Sequence, residues 1–183
     1  SNVSTGGNGN RIAAAFLGNA MRQNDEPNYR AVSEGFDLSP YEGLYREPLT
    51  GAPIRLAVRE GVLRAGNAPL LPFSEAEFQV GSGDTRYLFD RAGDLVVGFR
   101  VDSWEFSDRE YDRVPEWNPS SAELADFEGT FHSDDAETTF VVTAVEGGLQ
   151  ICQRPNDTRF VEPVYQDAFD GPGGVVGFRR NGA

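Results

Sequence analysis

The chain has 183 residues, 39% hydrophobic and 25% charged, which suits a folded globular protein with one sizeable core or two small ones. Its formal net charge of −13 makes a surface that repels phosphate backbones and argues against nucleic acid as a partner. No apolar run approaches the roughly 18 residues of a membrane span, so none is expected.

The excess acid sits towards the end: residues 41–115 carry 9 Arg against 13 acids, and residues 116–183 carry 4 against 12. Solubility is the plain reading of that balance. All 16 basic residues are arginine, which removes a lysine base, a Schiff base and a P-loop. The single cysteine, Cys152, removes an intrachain disulfide and cysteine-rich metal sites, and its strand-like surroundings suit a small buried hydrophobe.

Ser1-Asn2 reads as a cloning remnant ahead of an internal fragment, and the opening residues do not read as a signal peptide. Residues 1–10 read as a loop. Gly6-Gly7-Asn8-Gly9 shares only its glycine content with a phosphate loop. Asn10 can cap a helix over residues 11–21, where Ile12, Phe16, Leu17 and Ala20 share one face. Residues 23–37 are polar and read as a linker.

From Tyr41 the grammar changes to short strands broken by turns. Residues 54–59 alternate apolar with polar, and Glu60-Gly61 turns the chain into residues 62–65. Brief strands follow at 70–73 and 78–80. The clearest hairpin joins residues 86–90 to 95–101, and residues 106–114 close the block. Residues 114–119 mark a boundary, and Ser120-x-x-Glu123 has capping-box spacing for one helical turn. Strands are then expected at 138–145, 148–153, 159–164 and 174–179.

The second block repeats the first. Leu38-Ser39-Pro40-Tyr41-Glu42-Gly43-Leu44-Tyr45 returns 86 positions later as Leu124-Ala125-Asp126-Phe127-Glu128-Gly129-Thr130-Phe131. Glu60-Gly61-Val62-Leu63 returns at the same offset as Glu146-Gly147-Gly148-Leu149, and Pro72 with Phe78 matches Pro163 with Phe169 at an offset of 91. A shared register over this span implies an internal duplication.

The fold expected is mainly β: two tandem related antiparallel meander or barrel modules, lipocalin-like, with one N-terminal helix. The alternative is a single lipocalin-like barrel built from both repeats. The division is 1–37 (loop, helix and linker), 38–115 (first module) and 120–183 (second module). The second reads as incomplete, because residues 180–183 correspond to the turn at 91–94 and nothing matches 95–114. An unfinished sheet edge of that kind invites self-association. The barrel aromatics are expected to fill the interiors.

Candidate chemistry is thin. His132 stands beside Ser133 and Asp134, but adjacent strand residues alternate faces and do not converge as a triad. Asp134, Asp135 and Glu137, and likewise Asp167 and Asp170, lack the spacing of a calcium loop. Asn156-Asp157-Thr158 fits the glycosylation triplet only as a pattern. No catalytic, cofactor-binding or metal-binding residue emerges. The candidates for facing a ligand or partner are Gly81, Ser82, Gly83 and Asp84 in one turn, Asp167 and Asp170 in another, and Trp104 and Trp117 near the block boundary. For the two tryptophans, interdomain packing competes with sugar stacking.

Tyr41-Glu42-Gly43-Leu44-Tyr45, the runs 49–63 and 69–73, and Glu77-Phe78-Gln79-Val80 resemble an accessory β-barrel that follows the catalytic domain of β-lactamase-like serine hydrolases. That family includes penicillin-binding-protein relatives and D-aminopeptidases. The resemblance covers most of residues 36–183, and residues 6–21 are similar to the end of such a catalytic domain. It implies lipocalin-like barrels, two in tandem, an extracytoplasmic setting, and an accessory role in which the chain packs on the parent's own catalytic domain and shapes or covers its cleft. The family's Ser-x-x-Lys motif is absent and no lysine exists to form it, so no catalytic residue carries over. Two rivals stand beside this reading: a lipocalin-type binder of a small apolar ligand, and a structural assembly module.

Overall fold

The computed structural model describes residues 36–81, 83–103, 109–133, 137–153 and 157–179. The expected helix over residues 11–21 lies outside them. A 3-10 turn at Ser39–Tyr41 leads into eight strands: β1 Gly43–Arg46, β2 Pro53–Arg59, β3 Val62–Ala65, β4 Ala68–Pro72, β5 Glu77–Val80, β6 Arg86–Ala92, β7 Leu95–Asp102 and β8 Arg109–Val114. Each pairs antiparallel with the next, and β8 returns to β1, so the meander closes as a barrel. Closure satisfies every strand edge within the unit.

The second repeat opens with a short helix, α1 (Ser121–Ala125), held by a capping box between Ser120 and Glu123. Six strands follow: β9 Gly129–Ser133, β10 Thr138–Val145, β11 Gly148–Gln153, β12 Asp157–Tyr165, β13 Ala168–Gly171 and β14 Gly174–Gly177. They form an open antiparallel sheet in sequence order, with β9 and β14 at its edges. Each repeat therefore builds its own sheet, and the alternative of one barrel shared by both falls away.

The duplication is carried into the hydrogen-bond ladders. Leu56 faces Ala65, and Val142 faces Ile151; Leu63 faces Leu70, and Leu149 faces Val161; Pro72 faces Phe78, and Pro163 faces Phe169. Tyr45 faces Ile54 in the first ladder as Phe131 faces Phe140 in the second. A register slip of one residue would turn every inward side chain outward, so these four shared ladders fix the same core positions in both modules. The fifth ladder differs only through its turn. Phe78 faces Tyr87 across a long loop, whereas Phe169 faces Val176 across a two-residue one.

A ring cluster closes one end of each module. Tyr41, Phe78 and Phe89 meet at centroid distances of 4.7, 4.9 and 5.0 Å. Phe127, Phe169 and Phe178 meet at 5.1, 5.0 and 5.6 Å. A fourth ring completes each set: Phe36 lies 5.8 Å from Tyr41 and 5.9 Å from Phe78, while Trp117 lies 5.7 Å from Phe127 and 5.6 Å from Phe169. Phe36 comes from the stretch read as a polar linker and Trp117 from the boundary segment. Offset or edge-on ring pairs of this kind each add about 0.5–1.5 kcal/mol beyond the area they bury.

The rest of the first core is Tyr45, Leu56, Leu63, Leu70, Tyr87, Val96 and Phe99, all buried. Cys152 corrects its expectation. It is half-buried on β11, next to the buried Ile151, so strand alternation turns it towards the outer face.

The glutamate of the repeated aromatic-Glu-Gly motif has a backbone role in both modules. β1 begins at Gly43 opposite Leu56, so the amide of Val58 projects past its end; Glu42 Oε1 accepts that N–H at 2.6 Å. Glu128 Oε1, the same position in the repeat, accepts the amide of Ala144 at 2.9 Å. The Glu60-Gly61 turn needs positive φ at both residues (54° and 75°), which Gly61 adopts without strain.

The two modules meet along the outer face of β1. Leu44, Tyr165 and Ala168 form a buried cluster with Val114, Val164 and Val175 against it. The Tyr165 hydroxyl donates to the Gly51 carbonyl at 2.7 Å, and the Arg46 guanidinium stands 5.6 Å from the Tyr165 ring. Arg55 and Glu116 pair nearby.

Removing the carboxylate caps tests their role. Glu42→Ala should cost about 2 kcal/mol in urea denaturation, the value of a hydrogen bond to a charged group, and Glu128→Ala should cost less because its bond is longer and exposed. Equal costs, or none, would dismiss the carboxylates as strand caps. Burial also pushes the hydroxyls of Tyr45 and Tyr87 up to about 12. Unfolded tyrosine ionises near its ordinary value of about 10, so above that pH the folded state retains protons that the unfolded state has lost. The urea midpoint should therefore hold up to about pH 10 and fall between pH 10 and 12, less steeply in Tyr45→Phe.

Candidate functional site

The clearest opening is the inner face of the second sheet. In the closed barrel, β7 and β8 cover Tyr45: Phe99 packs on its ring at 5.0 Å, Arg113 stands 5.8 Å above it, and Tyr45 is 0% exposed. The same position in the second module is Phe131, on β9, and it is 43% exposed. Its ring touches Phe178 at 5.7 Å.

Around Phe131 runs an open groove of about 280 Å3, walled by Phe140, Val142, Ile151, Val176 and Phe178. Arg159 and Arg179 supply its polar wall. The Nε of Arg159 is buried and has no hydrogen-bond partner among the described residues. Two of the four arginines in the acidic stretch 116–183 thus line this one apolar surface, and no acidic side chain does. The groove can hold an apolar body with an acceptor group beside Arg159.

Two other openings, each larger in volume, lie elsewhere on the described residues. A crevice of about 340 Å3 between the modules is lined by Leu44, Pro53, Arg55, Glu162, Pro163, Val164 and Asp170. Another, against Leu95, Val96, Val97 and Arg113, lies on the first barrel.

The residues singled out in the sequence do not gather. Gly81 turns at φ 52°, Gly83 donates its amide to the Val80 carbonyl at 3.0 Å, and Asp84 is exposed beside them; Ser82 lies outside the described residues. Trp104 lies outside them too. Trp117 is held in the ring cluster of the second module, half-buried. Asp167 takes a positive φ of 61° in the β12–β13 turn, and its carbonyl accepts the amide of Phe178 at 2.8 Å. Asp170 accepts the amide of Gly171 at 3.0 Å and borders the intermodule crevice.

His132 is exposed on β9 with Nδ1 3.4 Å from Thr139 Oγ1; the Ser133 side chain, Asp134 and Asp135 are outside the described residues. Glu137 is exposed at a φ of 47°. In the Asn156-Asp157-Thr158 triplet, Asp157 and Thr158 are exposed at the start of β12 and Asn156 is outside. Among the described residues, no three His, Cys, Asp or Glu side chains come together as a metal site. No helix among them is long and apolar enough to cross a membrane.

The groove is hidden in the sequence because its shape comes from strands that do not sit over Phe131, and Phe131 itself looks like any core aromatic. In comparison with known proteins, the chain matches no family model, no curated protein and no solved structure.

Burying an unpartnered guanidinium nitrogen costs stability. Arg159→Met, which keeps the apolar stem and removes that group, should leave the urea midpoint unchanged or raise it by the equivalent of up to about 1 kcal/mol. A clear loss would mean that Arg159 has a stabilising partner.

Proposed function

We propose that this chain is a non-catalytic accessory module of a β-lactamase-like serine hydrolase, packing on the catalytic domain and limiting access to its cleft. The observation that carries this reading is the filled first barrel. Ten buried side chains, Tyr41 to Phe99, occupy its interior, so what it offers other molecules is its outer surface. The family resemblance of residues 36–183 supplies the partner and the extracytoplasmic setting. Tandem modules joined through the Leu44–Tyr165 cluster give such a partner a firm two-part surface.

The purified chain should leave chromogenic β-lactams, p-nitrophenyl esters and D-amino-acid anilides at their background rates of hydrolysis. Turnover that persists in His132→Ala and Ser133→Ala would count against the accessory reading. Turnover abolished by either change would make this chain an enzyme in its own right.

A second reading, the binder of a small apolar ligand, draws on the groove rather than on the barrel. Its volume of about 280 Å3 is near the lower end of small-molecule sites. A thermal shift with a panel of apolar and cell-wall-like ligands tests it, and no shift from any member removes it.

A further inference from the structure

We propose that the groove of the second module binds a small amphipathic carboxylate, its apolar body on the floor beside Phe131 and its carboxylate on the guanidinium of Arg159. The inference rests on the binder reading of the groove and adds to it the ligand's charge and the residue that anchors it. It owes nothing to the hydrolase reading.

The repeat shows what is unusual about the site. The groove is walled by the second module's versions of positions that the first barrel buries: Phe131 stands for Tyr45, Val142 for Leu56 and Val176 for Tyr87. One position breaks the pattern. Across the β3–β4 ladder Ala65 faces Ala68, whereas across the β11–β12 ladder Ile151 faces Arg159. Arg159 lies two residues from Val161, so it shares the inward face on which Val161 is fully buried. A guanidinium on the apolar face of a sheet costs stability unless its donors are met. Its Nη1 lies against the β13–β14 turn, 3.6 Å from where a Cβ on Gly173 would stand. Nε is buried with no acceptor, and among the described residues Arg159 makes no ion pair.

The charge around the groove points the same way. Residues 116–183 carry 12 acids against 4 arginines, yet Arg159 and Arg179 both line the groove and no acid does. A carboxylate fits the guanidinium fork through two parallel N–H···O bonds. A neutral apolar ligand would cover the floor and leave Nε as it is, whereas a carboxylate also supplies the acceptor. Nε is shielded from water, so pairing requires the guanidinium to turn towards the groove about its last torsions. The volume of about 280 Å3 suits a single short chain or ring.

Decanoate, decanol and decylammonium share one apolar body and differ in head group, which separates the apolar contribution from the charge. Each is titrated, below its micelle concentration and near neutral pH, into the isotopically labelled full chain. Decanoate should bind at least about tenfold tighter than decanol, the value of a hydrogen bond to a charged group, and decylammonium should bind more weakly than either. Decanoate and decanol should both shift the amides of Phe131, Val142, Ile151 and Val176, but only decanoate should move the Arg159 Nε–H resonance downfield. Arg159→Met should lower the affinity for decanoate to that for decanol and leave decanol unchanged. Val176→Trp, which fills the floor, should abolish binding of both.

Equal affinities for decanoate and decanol, with shifts in the groove, overturn the proposal and leave the apolar-binder reading standing. A preference for decanoate that survives Arg159→Met overturns it as well, and so does an Nε–H resonance of the unmodified chain that decanoate does not move. No groove shift with any of the three ligands removes both this inference and the binder reading beneath it.

Discussion

The fold depends on rings meeting at the closed end of each module. A short-stranded meander has little area per strand to bury, and its curl must be held by contacts that cross the sheet. Tyr41, Phe78 and Phe89 come from the 3-10 turn, β5 and β6, so their mutual contacts tie the start of the barrel to its middle. Phe127, Phe169 and Phe178 tie the same three places in the second module. A contact between residues so far apart in sequence costs loop entropy, which the large apolar area of an aromatic side chain offsets better than any aliphatic one. The duplication has kept this arrangement through changes of tyrosine to phenylalanine and of loop length.

What the cluster leaves open is closure. In the first module Arg113 links the closing strand to the turn that bears Tyr41, through the carbonyls on either side of that ring's residue. Its guanidinium thus joins the last strand of the barrel to the first turn through three charge-assisted hydrogen bonds to carbonyl oxygens. The second module has the cluster and the glutamate cap but, among the described residues, no strand in the place of β8. The difference in exposure between Tyr45 and Phe131 is the consequence. Two residues of one repeat position, with similar rings, differ from fully buried to two-fifths exposed because of strands elsewhere in the sheet.

Much of this architecture was legible in the sequence, for physical reasons that can be named. The aromatic-Glu-Gly motif recurs at a fixed offset because each of its residues does one thing in both modules. The ring closes the core's end, the carboxylate holds a projecting amide, and the glycine begins the strand. Alternation placed residues 54–59 as a strand, the repeat placed 138–145 as another, and Ser120 with Glu123 placed the short helix of the second module. The roles behind the motif were not legible, since the amides of Val58 and Ala144 lie 16 residues from their glutamates and only the ladder brings them near. Phe36 and Trp117 do not announce themselves as a pair, because they sit outside the strands in stretches whose polarity suggests linkers. The error with Cys152 was of another kind. Its neighbour Ile151 is the inward residue, and a period of two read from there would have turned Cys152 outward.

The candidate site follows from the same logic carried one step further. A binding surface is usually sought where unusual residues gather, but here the informative residues are ordinary ones in an unusual state. Phe131 is a core aromatic without its cover, and the Nε of Arg159 is a donor without an acceptor among the described residues. Both depart from what a closed antiparallel barrel does with such a residue, and both line one groove.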